Sequence, residues 1–161
     1  MGFRLTLLIA LLLAACAPAA APGPALGAPL PEVATVGLDR QPASLVGLTR
    51  GRVALVALWA TWCPTCAKEL DALDRLQGEV GPGALVVGVA VGEPYDKVAR
   101  YLEPRRLAYA QLVDEEFKLA DALGTNRVPT TLVVGKNGTL RYAGGSLDRH
   151  ALDALRQALA E

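Results

Sequence analysis

Two thiols separated by two residues, in Cys63-Pro64-Thr65-Cys66, carry the side chains of this 161-residue sequence whose spacing can do chemistry. They stand where an unbroken apolar run, Val53-Ala54-Leu55-Val56-Ala57-Leu58, gives way to helical periodicity. The run reads as a strand buried on both faces, so the pair is expected at a strand-to-helix junction, with Pro64 in the first helical turn. Unpaired N–H groups and the positive dipole end at that point favour a negative neighbour, which places Cys63 to ionise more easily than a free thiol. In thiol–disulfide exchange Cys63 would attack as thiolate and Cys66 would resolve the mixed disulfide, a division that calls for an exposed Cys63 and a more buried Cys66. The same two sulfurs are also soft ligands suited to Cu(I), but Met1 is the only methionine and His150 the only histidine available to join them. A structural staple gains little from closing so short a loop. Zinc would lack ligands, so no metal site is expected, and His150, among surface residues of the last helix, is given no role.

Positioning the pair falls to the elements around it. Val53–Trp59 is followed by a helix whose Leu70, Leu73, Leu76 and Val80 recur on one face, ended by Gly81-Pro82-Gly83. Ala84–Val91 reads as a second buried strand, parallel to the first through a crossover. Residues 94–103 suit a short helix with Val98, Tyr101 and Leu102 inward, residues 109–113 a brief strand, and residues 117–123 a further helical turn or two stopped by Gly124. Thr130–Val134 and residues 139–142, joined through Asn137-Gly138, predict a hairpin. Ser146 can cap a last helix with Ala151, Leu152, Leu155 and Leu159 inward. Ahead of all these, residues 33–36 and 43–46 suggest a shorter hairpin. Trp59 is expected in the core and Trp62 partly exposed.

The stretch from Trp59 through Cys66 to Ala67-Lys68-Glu69-Leu70, with Val128-Pro129-Thr130-Thr131 far downstream, resembles thioredoxin-like proteins of the TlpA and ResA type. The resemblance covers about residues 32–161 and implies an α/β fold: a thioredoxin-like three-layer sandwich with a central mixed sheet, an N-terminal hairpin and an extra strand–helix insertion between the two motifs. It implies that Pro129 is cis and faces the cysteines, leaving the Val128 backbone free to pair with an extended substrate chain beside Trp62, Pro64 and Thr65. Thr130 would be a structural contact. Glu69, one helical turn after Cys66, matches a functional glutamate of ResA-like proteins and can exchange a proton with the thiols, the alternative being a solvated helix residue. One departure is visible, since Ala57 stands where plain thioredoxin has a buried aspartate.

The resemblance implies a membrane-anchored, extracytoplasmic thiol-disulfide oxidoreductase acting as a monomer. It would reduce disulfides of exported proteins, such as apocytochrome c or copper-site proteins, with electrons from a membrane thiol donor and no cofactor beyond the Cys63–Cys66 disulfide. A disulfide-forming oxidase would use the same residues, as would a Cu(I)-carrying assembly module. A peroxidase related to peroxiredoxins is disfavoured, because Thr61 lies two residues before Cys63 and not three.

The 16 basic and 16 acidic residues cancel, which leaves no nucleic-acid footprint, and the length suits one domain. Arg4 followed by the apolar residues 5–15 reads as a secretory leader. It ends in Leu13-Ala14-Ala15-Cys16, which resembles the lipobox of bacterial lipoproteins, where the cysteine becomes the lipid-bearing first residue. The expected organisation is therefore a signal peptide over 1–15, lipidated Cys16 with an Ala/Pro/Gly-rich tether over 16–31, and a thioredoxin-like domain over 32–161 at the periplasmic or outer face of the cell membrane. Lipidation of Cys16 would turn an odd count of three cysteines into one lipid site and one pair, and export would let a disulfide persist.

Overall fold

The computed structural model describes residues 23–161, and the leader and Cys16 lie outside the described residues. In chain order the elements are β1 (Ala34–Gly37), β2 (Pro42–Ser44), α1 (Leu45–Thr49), β3 (Val53–Trp59), α2 (Pro64–Val80), β4 (Ala84–Val91), α3 (Tyr95–Leu102), β5 (Ala110–Asp114), α4 (Lys118–Ala122), β6 (Thr130–Val134), β7 (Leu140–Gly144) and α5 (Arg149–Ala160). They build one seven-stranded mixed sheet in the order β2-β1-β5-β4-β3-β6-β7. β3 is near its centre, parallel to β4 and antiparallel to β6, and no residue of it is more than 2% exposed. An unbroken apolar strand can occupy only such a place, with layers on both of its faces.

Alternation along β3 splits the core. Ala54, Val56 and Leu58 face Leu45 of α1 and Leu119 and Ala120 of α4. Val53, Leu55 and Ala57 face Leu73 and Leu76 of α2 and Leu155 and Ala158 of α5. Further along that second face, Trp59 joins Leu70, both cysteines of the pair, and Val98 and Leu102 of α3. Each fully buried Leu or Val contributes about 1.5–3 kcal/mol over an exposed one, so the strand that ends at the cysteines is firmly held.

Three differences from the sequence reading have local causes. Leu45 and Val46 are helical, because the Ser44 hydroxyl accepts from Gly47 N at 3.0 Å and starts α1 there. Asp148, not Ser146, caps α5, accepting from Ala151 N at 2.9 Å. The packed chain also begins before Glu32: Gly27 N and Leu30 N donate to Leu140 O and Gly138 O, and Leu30 is only 7% exposed. Backbone pairing with residues 138–140, where β7 begins, and one apolar side chain suffice to hold residues that composition alone assigns to a tether. No helix among the described residues is long and apolar enough to cross a membrane.

One buried polar contact anchors the end of β3. Trp59 Nε1 donates to Gln111 Oε1 of β5 at 3.1 Å, across the intervening strand β4. The contact is possible because the residue between them is Gly88, paired with both Ala57 and Gln111. A Cβ on Gly88 would stand 2.3 Å from Gln111 Oε1. Gly88→Ala is therefore expected to displace the buried amide, break the indole bond and cost about 1–3 kcal/mol, read as a lower urea midpoint with a changed Trp59 fluorescence.

Candidate active site

Cys63 is the N-cap of α2, with Pro64 at the first helical position. Its Sγ accepts from Cys66 N at 3.1 Å, so the sulfur takes the place of the capping oxygen that usually satisfies a first-turn N–H. The two cysteines are joined as a disulfide with Cα atoms 5.2 Å apart. When the bond is reduced, the same N–H group and the dipole of a 17-residue helix remain aimed at Cys63 and favour its thiolate. Cys63 is 5% exposed and Cys66 1%, which keeps the expected order. Cys63 is nonetheless buried rather than exposed, because its sulfur folds over the helix end. The surface around it is supplied by Pro64, Thr65 and Trp62, the last 63% exposed.

The turn that carries Cys63 is held from outside its own element. Glu93 follows β4, and its carboxylate accepts from Thr61 N and Thr61 Oγ1, each at 2.6 Å, while Lys97 Nζ lies 2.5 Å from it. Glu93 is only 3% exposed. Burial raises its carboxyl, but the bonds from Lys97 and Thr61 and the charge of Lys97 outweigh that and hold it below the ordinary value of 4.5. The lysine also offsets a negative charge that would otherwise oppose a thiolate two residues past Thr61. The sequence reading missed Glu93. The signal was its place: parallel neighbours end at the same edge of a sheet, so the first residues after β4 must border the turn after β3.

The second motif meets the first. The Val128–Pro129 peptide bond is cis, as the resemblance implied. Val128 packs against the cluster that contains Cys63 and Cys66, and Val128 and Pro129 line a surface depression of about 290 Å³ with Arg127, Gly144 and Gly145. Thr130 is a structural contact, donating to Arg127 O at 2.7 Å. Trp59 is buried and His150 exposed. Glu69 is half-buried, and its Oε1 accepts from Leu147 N at 3.0 Å, so the carboxylate ties α2 to the segment before α5. Burial raises its carboxyl above 4.5 against the opposing bonds from Leu147 and Ser146. Ala57 is buried, and the Thr131 hydroxyl, on the residue paired with it in β6, has no partner among the described residues. No group of three or more His, Cys, Asp or Glu side chains able to hold a metal ion occurs among the described residues.

Comparison with known proteins agrees with this geometry. The pattern of the AhpC/TSA family matches residues 26–143. The thiol:disulfide interchange protein DsbE of Escherichia coli (strain K12) is 34% identical over 131 residues, which are 80% of this chain and 66% of that protein. The thiol-disulfide oxidoreductase ResA of Halalkalibacterium halodurans is 28% identical over 91 residues, covering 56% of this chain and 52% of ResA. The chain thus spans between half and two thirds of the length of these relatives. Among solved structures, a putative DsbE from Chlorobium tepidum superposes with a TM-score of 0.74 at 19% identity, over 86% of this chain and 97% of that one, which shows the thioredoxin-like fold.

The Glu93 brace has a pH signature. A carboxyl held below its unfolded value contributes stability that is complete above about pH 4.5 and lost as the pH falls through the lower folded value. Glu93→Gln is expected to lose about 1–3 kcal/mol at pH 7 and less than that at pH 3. Urea unfolding of both proteins at the two pH values checks this, and the wild type should show the larger acid-induced drop.

Proposed function

The chain belongs to the AhpC/TSA family and has its thioredoxin-like fold, and from that premise we propose that it is a protein thiol-disulfide oxidoreductase working outside the cytoplasm. The observation that carries the reading is the capping of α2 by the Cys63 sulfur, with Cys66 more deeply buried behind it. In the reducing direction, the Cys63 thiolate attacks a substrate disulfide, forming a mixed disulfide and releasing one substrate thiolate. Cys66, as thiolate, then attacks Cys63 Sγ, which closes the Cys63–Cys66 bond and releases the second substrate thiolate. The two electrons pass from the dithiol to the substrate. A thiol donor restores the dithiol by the reverse exchange.

In this reading an extended substrate chain lies along Val128-Pro129, bordered by Trp62, Pro64 and Thr65. Glu69, whose raised carboxyl holds a proton more readily than a free glutamate, is the candidate to take the Cys66 proton in a site that has Ala57 in place of a buried acid. Lipidation at Cys16 would hold the domain at the membrane, where exported proteins such as apocytochrome c or copper-site proteins are the substrates and a membrane thiol protein the donor. The similarity to DsbE and ResA supports the exchange chemistry. A peroxidase reading is disfavoured, because Thr61 lies two residues before Cys63 and not three.

Two measurements test the proposal. Cys66→Ser should accumulate mixed disulfides on Cys63 when exposed to oxidised exported proteins, and Cys63→Ser should not; capture of no protein, with tight binding of Cu(I) by the reduced pair, would favour metal transfer instead. Equilibration with thiol redox buffers should give a reduction potential towards the thioredoxin end, about −270 mV, and a value near about −120 mV would reverse the assigned direction.

A further inference from the structure

Beside the cysteine pair, a short stretch of backbone is left without partners while the chain around it is held. Val128 N–H and C=O make no backbone bond among the described residues. Arg127 N donates to Thr125 Oγ1 at 3.4 Å, Arg127 O accepts from Thr130 Oγ1 at 2.7 Å, and Thr130 opens β6 through its pairing with Leu58. Both threonines are buried. They fix where Arg127 and Val128 stand, and Val128 then offers a donor and an acceptor to an extended chain, as the edge of a sheet does.

Arg127 borders that free backbone with its own side chain unengaged. It is exposed, and its guanidinium is in no ion pair among the described residues. Among the described residues it is the only charged one lining the depression that Val128 and Pro129 border, where Pro24, Ala143 and the bare backbone of Gly144 and Gly145 supply the opposite wall. No carboxylate lines the depression, and Glu69 of α2 turns instead to Leu147 N. A guanidinium beside an apolar wall keeps more of its field than one in open solvent, and the planar fork pairs best with a carboxylate.

Alternation along extended chains says which substrate residue meets it. Val128 packs against the cluster that contains Cys63 and Cys66, so its side chain points towards the sulfurs, while exposed Arg127 points the other way. A substrate cysteine paired across from Val128 turns its sulfur to the same side, towards Cys63. Its two neighbours in sequence then point as Arg127 does, and the one opposite Arg127 comes within cross-strand contact, about 4.5–5.5 Å between Cβ atoms. Residues two positions from the cysteine point back to the sulfur side.

We infer that Arg127 selects substrates by charge, favouring disulfides in which an Asp or Glu stands immediately beside the cysteine that Cys63 attacks. The inference rests on the exchange reading above. The Cys63 thiolate attacks that cysteine's sulfur and the other half of the disulfide leaves as thiolate; the Cys66 thiolate then closes the Cys63–Cys66 bond and releases the substrate cysteine, so two electrons pass from the dithiol to the substrate. The test uses the reduced protein and extended peptides with a single cysteine held in a mixed disulfide with 2-mercaptoethanol. Each peptide carries Glu, Gln or Lys at one position: directly before the cysteine, directly after it, or two residues away. Second-order rate constants, followed by tryptophan fluorescence, are divided by the rate constant of the same protein variant with the uncharged bis(2-hydroxyethyl) disulfide. At one of the two adjacent positions Glu should exceed Gln about threefold and Lys about tenfold, with a smaller spread two residues away. The spread should shrink in ~0.5 M salt. Arg127→Gln should remove the preference, Arg127→Lys should keep it, and Arg127→Glu should reverse it. Equal ratios for Glu, Gln and Lys at both adjacent positions would overturn the inference, as would a preference that Arg127→Gln leaves unchanged. Absence of any reaction with bis(2-hydroxyethyl) disulfide would overturn the exchange reading, and this inference with it.

Discussion

The bond from Cys66 N to Cys63 Sγ is the constraint on which the site depends. A helix begins by leaving N–H groups without partners, and here one of them is met by the atom that is to react. Charge on that sulfur is stabilised by structure that costs nothing further at the moment of exchange. The cap holds its geometry only if α2 starts at a fixed point, and Pro64 at the first helical position and the end of β3 fix it together. The strand is in turn fixed by burial on both faces. Fold and reactivity are thus joined through a single helix terminus.

Around that terminus the sheet acts as a jig. β3 and β4 run parallel, so their carboxyl ends deliver Thr61 and Glu93 to the same edge, and the carboxylate locks the turn just ahead of Trp62 and Cys63. β6 returns antiparallel beside β3, bringing Val128 and the cis proline back to the cysteines. Trp59 closes the other side through Gln111, across a glycine that leaves room for the amide. These are polar contacts inside or at the margin of an otherwise apolar layer, where an unpaired partner would be costly, and they specify one arrangement of the turn.

Much of this could be read in the residues. Val53–Trp59 and Ala84–Val91 have the bounds their apolar runs imply, because burial on both faces leaves a signal that nothing nearby competes with. The cysteine pair and Pro129 were visible as motifs. Leu45 and Val46 were misplaced because a serine hydroxyl outweighed their strand propensity, and the packing of residues 27–30 was hidden because it rests on backbone bonds that composition does not record. Glu93 and Gln111 were passed over for a different reason: each acts across the sheet, on a residue 32 or 52 positions away, and no local pattern reports such a partner. The burial of Cys63 was likewise out of reach, since spacing says where a sulfur stands in the chain and not how it folds over the helix end.

The end of α2 makes Cys63, and not Cys66, the thiol that ionises first. The direct measurement is the pH dependence of alkylation of the fully reduced protein, with the modified cysteine located by mass spectrometry. Cys63 should be modified first, with a midpoint well below the free-thiol value of about 8.5. Modification of Cys66 first, or a midpoint at or above that value, would contradict it.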